Sequence, residues 1–160
     1  MWGYWVNVGY FCITARYASF MAQQVDLGET GKTVAGNIKR IREEQNLGYA
    51  ELVRRLAELG NVIAPQGLRR IERCERRVDA DDLVCLATVL NVSPSTLLAP
   101  AVEHATDRVR ATPASGMKYT LTASAWWNFL TAREHWNDNA NNREFRFRSI
   151  PVWIESEGTH

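Results

Sequence analysis

The sequence predicts an all-α fold: a compact five-helix domain over residues 33–99, followed by an aromatic-rich C-terminal extension. Three observations carry this. Apolar residues recur at helical spacing from Val34 to Leu98. Residues that start and stop helices punctuate that stretch at short intervals. A chain of 160 residues that is 46% hydrophobic has material for one ordinary core and an appendage, not for two full domains. No internal repeat is present.

Helix one is expected from Thr33 to Gln45, with Val34, Ile38 and Ile41 in one stripe and Lys39, Arg40, Glu43 and Glu44 outside it. Gly31 or Thr33 caps it, and it stops near Asn46. Helix two, YAELVRRLAELG, sets Leu52, Leu56 and Leu59 on one face and ends at Gly60, which adopts a left-handed stop without strain. Pro65 suits the first position of helix three, behind Ala64 as a weak cap. Over residues 65–76 this helix turns Leu68 and Ile71 inward and Gln66, Arg69, Arg70 and Arg73 outward. Asp79 caps helix four, which reaches Leu90; Asp81 and Asp82 favour its positive start. Ser93 and Pro94 open helix five, with Leu97 and Leu98 inward. Short loops between short helices make a compact helical unit.

The flanks differ in character. Residues 1–32 read as an arm and residues 100–117 as a linker rich in Pro, Ser, Thr and Gly. The opening MWGYWVNVGYFCITARYASF is too interrupted by Gly3, Asn7, Gly9 and Arg16 for a membrane span, and it lacks the basic start of a signal peptide. The expectation is that Met21 is the natural start, with residues 1–20 lying upstream of it; the alternatives are a disordered aromatic arm or a segment that packs on the C-terminal tryptophans. In residues 118–160 a helix is expected from Ala123 or Ser124. FRFRSIPVW alternates like a short strand or extended arm.

Composition narrows the chemistry. A net charge of +1 argues against a uniformly basic coat protein, but five arginines stand against Glu72 and Glu75 between Pro65 and Arg77, a local surplus of three. Cys12, Cys74 and Cys85 leave one cysteine over in any pairing, which points to a reducing, cytoplasmic setting. His104, His135 and His160 are scattered, so no metal set is expected. GETGKT lacks the first glycine of a phosphate loop. The expectation is no cofactor, no metal, no membrane and no enzyme.

The stretches VAGNIKRIREEQNL, YAELVRRLAELG, GLRRIERCERRVDADDLVCLATVLNVS and PSTLL follow one another in order. Together they resemble the Cro/C1-type, or xenobiotic-response-element-like, helix-turn-helix family over residues 33–98. The resemblance implies a bacterial or phage transcriptional regulator, a repressor, that binds double-stranded DNA and reads the major groove with helix three. Gln66, Arg69 and Arg70 would then meet base edges, Arg suiting guanine and Gln suiting adenine. Arg73, Arg76 and Arg77 would meet phosphates or stay solvated, and Lys39, Arg54 and Arg55, with Tyr49 beside them, are weaker phosphate candidates. Arg42 and Glu72 match family positions of an internal salt bridge. A dimer would prefer half-sites about 34–36 Å apart.

The chain departs from the family pattern in four places. The turn after helix two is longer, Gly48 and Tyr49 replace the usual Ser and Gln, Cys74 replaces a glycine suited to φ above zero, and Asn91 replaces another glycine. A redox role is the alternative reading of Cys74. Cys85, between Val84 and Leu86, reads as core.

Trp126, Trp127, Trp136 and Trp153, with Phe129, Phe145 and Phe147, supply more aromatic surface than a free tail exposes. They either fold into a small core, alone or on the helical domain, or form an association surface for a second copy or a protein partner. Stacking on single-stranded nucleic acid, prompted by FRFR, is a further option. The rival function is therefore a protein-interaction module, antitoxin-like or scaffolding, that works through this Trp-rich segment.

Overall fold

The computed structural model describes residues 26–111, 120–137 and 140–157, and is mostly helical there. Five helices share the main core: α1 (Glu29–Glu44), α2 (Tyr49–Glu58), α3 (Pro65–Glu72), α4 (Ala80–Val89) and α5 (Pro94–Leu98). A two-stranded antiparallel hairpin, β1 (Arg108–Arg110) with β2 (Thr120–Thr122), leads into α6 (Ala123–Leu130). Two further helices, α7 (Asn142–Ser149) and α8 (Val152–Glu157), complete the described chain. No described helix is long and apolar enough to cross a membrane.

The helical periodicity lands where it was expected. Val34, Ile38 and Ile41 of α1, Leu52 and Leu56 of α2, Leu68 and Ile71 of α3, Leu86 of α4, Leu90 just after it and Leu97 of α5 form one buried cluster. Asp79 caps α4 by accepting from the Asp82 N–H at 2.8 Å, and Ser93 caps α5 by accepting from the Thr96 N–H. Leu59 is a correction. It lies beyond the last turn of α2 at the C-cap, and is 48% exposed instead of facing inward. Cys85 is only half-buried, packed against the edge of the cluster.

Five of the helices end alike. Asn46, Gly60, Cys74, Asn91 and Ala132 have φ of 54°, 80°, 61°, 54° and 57°, each just past the C-cap of α1, α2, α3, α4 or α6. The backbone then closes as a Schellman motif. At the end of α3, Cys74 N–H donates to the Ile71 carbonyl at 2.9 Å and Glu75 N–H to that of Arg70 at 2.8 Å. α3 therefore stops at Glu72, four residues short of the expected 76, because the chain turns left-handed at Cys74.

The domain also begins earlier than expected. Leu27 is buried and α1 starts at Glu29, because Gly31 leaves room for Leu27: a Cβ at Gly31 would come within 2.6 Å of Leu27 Cδ2. Residues 26–32 are thus part of the fold and not of an arm. The expectation about residues 1–20 lies outside the described residues. The segment read as a linker is partly ordered as well, since Val109 of β1 is opposite Leu121 of β2. Asp107 and Ala105 accept from the N–H groups of Ala123 and Ser124 at the start of α6.

FRFRSIPVW is not a strand. Asn141 caps α7 by accepting from the N–H groups of Arg143 and Glu144 at 3.1 and 3.2 Å, and Glu144 pairs with Arg148 one turn on. These local helix signals win because α7 buries no side chain, so no sheet face exists for the alternation to serve.

One buried polar residue joins the two ends of the helical domain. Asn37 of α1 points its amide at the Thr96, Leu97 and Ala99 carbonyls, at 3.3, 3.0 and 2.7 Å, where α5 ends. Replacing it strands buried acceptors. Asn37→Ala is expected to lower the unfolding free energy by about 2 kcal/mol. Urea denaturation followed by circular dichroism checks this; an unchanged midpoint would mean that water satisfies those carbonyls equally well.

Candidate nucleic-acid interface

α3 is amphipathic in a simple way. Leu68 and Ile71 are fully buried, which turns positions 66, 69, 70 and 73 to the opposite side at i, i+3, i+4 and i+7. Gln66, Arg69, Arg70 and Arg73 are all exposed there. The structure thus brings together the three candidate base readers and one candidate phosphate contact. Gly67 allows a close approach beneath them, since a Cβ there would meet Arg76 Nη1 at 2.9 Å and Ile63 Cγ2 at 3.0 Å.

A carboxylate anchors this helix to the rest of the domain. Glu72, at the end of α3, accepts from Arg42 Nε at 2.7 Å and Nη2 at 3.0 Å, and from the Tyr49 hydroxyl at 2.6 Å. Arg42 also donates to the Leu47 carbonyl at 3.1 Å. The Arg42 and Glu72 side chains are only 10% and 4% exposed, so this is a desolvated, bidentate pair. It forms at the positions implied by the family resemblance. Donation to Glu72, followed by burial, raises the Tyr49 phenol above its ordinary pKa.

The structure assigns several of the expected phosphate contacts to other work. Tyr49 has one hydroxyl proton, and Glu72 takes it. Arg54 donates to Glu51 and to Glu58, while Arg55 donates to Glu51 at 2.7 Å. Those two arginines hold the Glu51 carboxyl down to about 2, so it stays ionised at neutral pH and this face of α2 carries paired charge. Arg76 donates to buried Asp82 at 2.8 Å, and Asn61 donates to the other oxygen of the same carboxylate. Asp82 thus ties the start of α4 to the loop after α3 through Arg76 and to the turn before α3 through Asn61. Arg77 is exposed and donates to the Asp26 carbonyl at 2.9 Å. Lys39 is exposed on α1, away from the α3 group in sequence.

The positive surplus read from residues 65–77 is accordingly concentrated. Glu72 and Arg76 are absorbed by partners inside the domain, which leaves Arg69, Arg70 and Arg73 as the cations that α3 and its cap present outward. Sequence reasoning missed Asp82 as a partner for Arg76; it read that acid only as favourable to a helix start. It missed Asn37 too, whose signal was a polar residue on the apolar side of helix one beside Ile38 and Ile41.

The tryptophans do not share one surface. Trp126 is 9% exposed, stacks on Phe129 at 5.4 Å and donates from Nε1 to the Leu98 carbonyl at 3.1 Å. With Val109 and Ala111 it makes a second small core seated on the end of α5. Trp136 stacks on His135, which lies edge-on to Phe129 and Phe145. Trp127 is half-buried on α6, whereas Trp153 on α8 is 63% exposed. The small-core expectation therefore holds for Trp126, and the four residues do not form a single association face. Among the described residues no group of His, Cys, Asp or Glu is placed to hold a metal ion.

Comparison of the chain with models of protein families, with curated proteins and with solved structures gives no match.

Two outcomes test the anchor. Glu72→Ala leaves Arg42 desolvated without its partner and is expected to cost about 3 kcal/mol in urea unfolding, whereas Arg42→Met combined with Glu72→Leu recovers most of that loss. The Tyr49 proton is held more tightly folded than unfolded. Its contribution is complete below the ordinary phenol pKa and is lost as pH rises through the raised value. Between those two values, unfolding free energy should fall more steeply with pH for the wild type than for Tyr49→Phe; parallel curves would remove the hydroxyl from the anchor.

Proposed function

We propose that this chain is a double-stranded DNA-binding protein of the helix-turn-helix class, with α2 and α3 as the two helices of the motif. More particularly, it works as a transcriptional regulator of the Cro/C1 type, of bacterial or phage kind, that represses by occupying an operator without catalysis. The observation that carries this reading is the side of α3 that bears Gln66, Arg69 and Arg70 on an exposed helix whose other side is anchored in the core.

The chemistry suits the task. A recognition helix meets base edges first through its N-terminal part, where Gln66 stands; Arg69 and Arg70 follow in the last turn of this short helix, on the same outward side. A guanidinium presents a fork that fits guanine O6 and N7, and an amide fits adenine N6 and N7. Arg73, with Lys39 and Arg77 as outlying contributors, supplies sequence-independent attraction to phosphates. Anchoring by Glu72 keeps the helix from rolling, so the forks arrive in register.

A second reading has one observation in its favour. Phe147, Val152 and Trp153 of α7 and α8 are exposed apolar groups on the C-terminal extension. They suit an interaction module, for which co-purification of a stoichiometric protein with no DNA retention at modest salt would speak.

Selecting bound duplexes from a random pool with the full chain tests the main reading. Arg70→Ala is then expected to lower affinity for the selected sequence by about 1–3 kcal/mol while leaving random DNA nearly unchanged. Equal losses on both would move Arg70 to the phosphate contacts. A pool that stays unenriched would overturn the proposal.

A further inference from the structure

Two guanidiniums sit over the Tyr49 ring. Arg42 Cζ is 4.4 Å from the ring centroid, and Arg69 Cζ is 4.9 Å from it. Arg42 is held in place by Glu72, and so is the ring, through the 2.6 Å bond from its hydroxyl. Arg69 is different: it is an exposed side chain on the outward side of α3.

We propose that Tyr49 is a positioning residue for DNA reading, its ring holding the Arg69 guanidinium ready for a base edge. This rests on the DNA-binding reading above and assigns Tyr49 a part in specificity instead of a phosphate contact. An exposed arginine loses rotamer freedom when it engages a ligand, and a side chain ordered beforehand loses less. A cation over an aromatic face supplies that order, and the planar guanidinium of Arg stacks there more often than the ammonium of Lys. The arrangement also solves an electrostatic problem. Two cations near one ring repel, but the Glu72 carboxylate offsets the charge of Arg42 and leaves the ring attractive to Arg69. Arg70, one residue on, has no such platform among the described residues; its guanidinium reaches the Glu75 carbonyl there at 3.5 Å. Tyr49 should therefore act on Arg69 and not on Arg70.

The test uses the full chain and the duplex it selects from a random pool, with wild type, Tyr49→Phe and Tyr49→Leu. Tyr49→Phe keeps the ring and is expected to hold the preference for selected over random DNA within about twofold. Tyr49→Leu is expected to lose about fivefold of that preference, with affinity for random DNA unchanged. Proton NMR supplies a reading that needs no DNA. Ring current should shift the Arg69 Hδ resonances upfield in wild type and Tyr49→Phe, and return them in Tyr49→Leu. Preference retained in a folded Tyr49→Leu chain overturns the proposal. So do wild-type Arg69 Hδ resonances at ordinary positions, a result that decides the matter even if Tyr49→Leu does not fold. A wild-type chain that enriches no sequence while keeping the upfield shift overturns the DNA reading and this role with it, but leaves the stack itself standing.

Discussion

The ion pair between Arg42 and Glu72 is the constraint on which the rest of the helical domain depends. It joins α1 to the end of α3, residues 30 apart in sequence, by two hydrogen bonds in a nearly dry setting. Apolar packing alone would let an eight-residue helix rotate about its axis, because Leu68 and Ile71 are only two points of attachment. A bidentate pair has direction as well as strength. It fixes which residues of α3 face outward, and the phenol of Tyr49 extends the same fixing to the first turn of α2.

The helical domain was largely legible in the sequence because its signals are local and redundant. Pro65, Asp79, Ser93 and Pro94 start helices where they stand, and a stripe such as Val34, Ile38 and Ile41 has one apolar solution. The boundaries failed where a distant contact decided them. Leu27 lengthens α1 through a gap at Gly31, which no periodicity records. The C-terminal extension failed more broadly. The three-residue strands β1 and β2 are too short to show alternation, and FRFR alternates like a strand although among the described residues it forms part of α7.

The outward grouping of Gln66, Arg69, Arg70 and Arg73 in the candidate site was legible in the sequence, and the pairing of the other arginines was not, for an electrostatic reason. Counting arginines gives a patch, but each charge has a choice of partners that depends on the fold. Arg76 prefers a buried carboxylate six residues away, and Arg54 and Arg55 share Glu51 within their own helix. Such pairing sharpens the surface, because cations matched by neighbouring carboxylates add little net charge beside the side where Arg69, Arg70 and Arg73 stand. The aromatic ring of Tyr49, which looked like a substitute phosphate ligand, belongs to the interior by its hydroxyl and to the surface by its face.

The helix ends described above carry a consequence for how this protein can change. Glycine enters the left-handed region freely, yet at these five helix ends one residue, Gly60, is a glycine; Asn46, Cys74, Asn91 and Ala132 reach the same region with a side chain in the way. Asparagine tolerates this comparatively well, but cysteine and alanine do not. The fold therefore lies below its own ceiling of robustness at Cys74 and Ala132, each by about a kcal/mol. Lineages of this chain under heat or mutational load have two single-residue routes to a firmer backbone, and neither touches the outward side of α3.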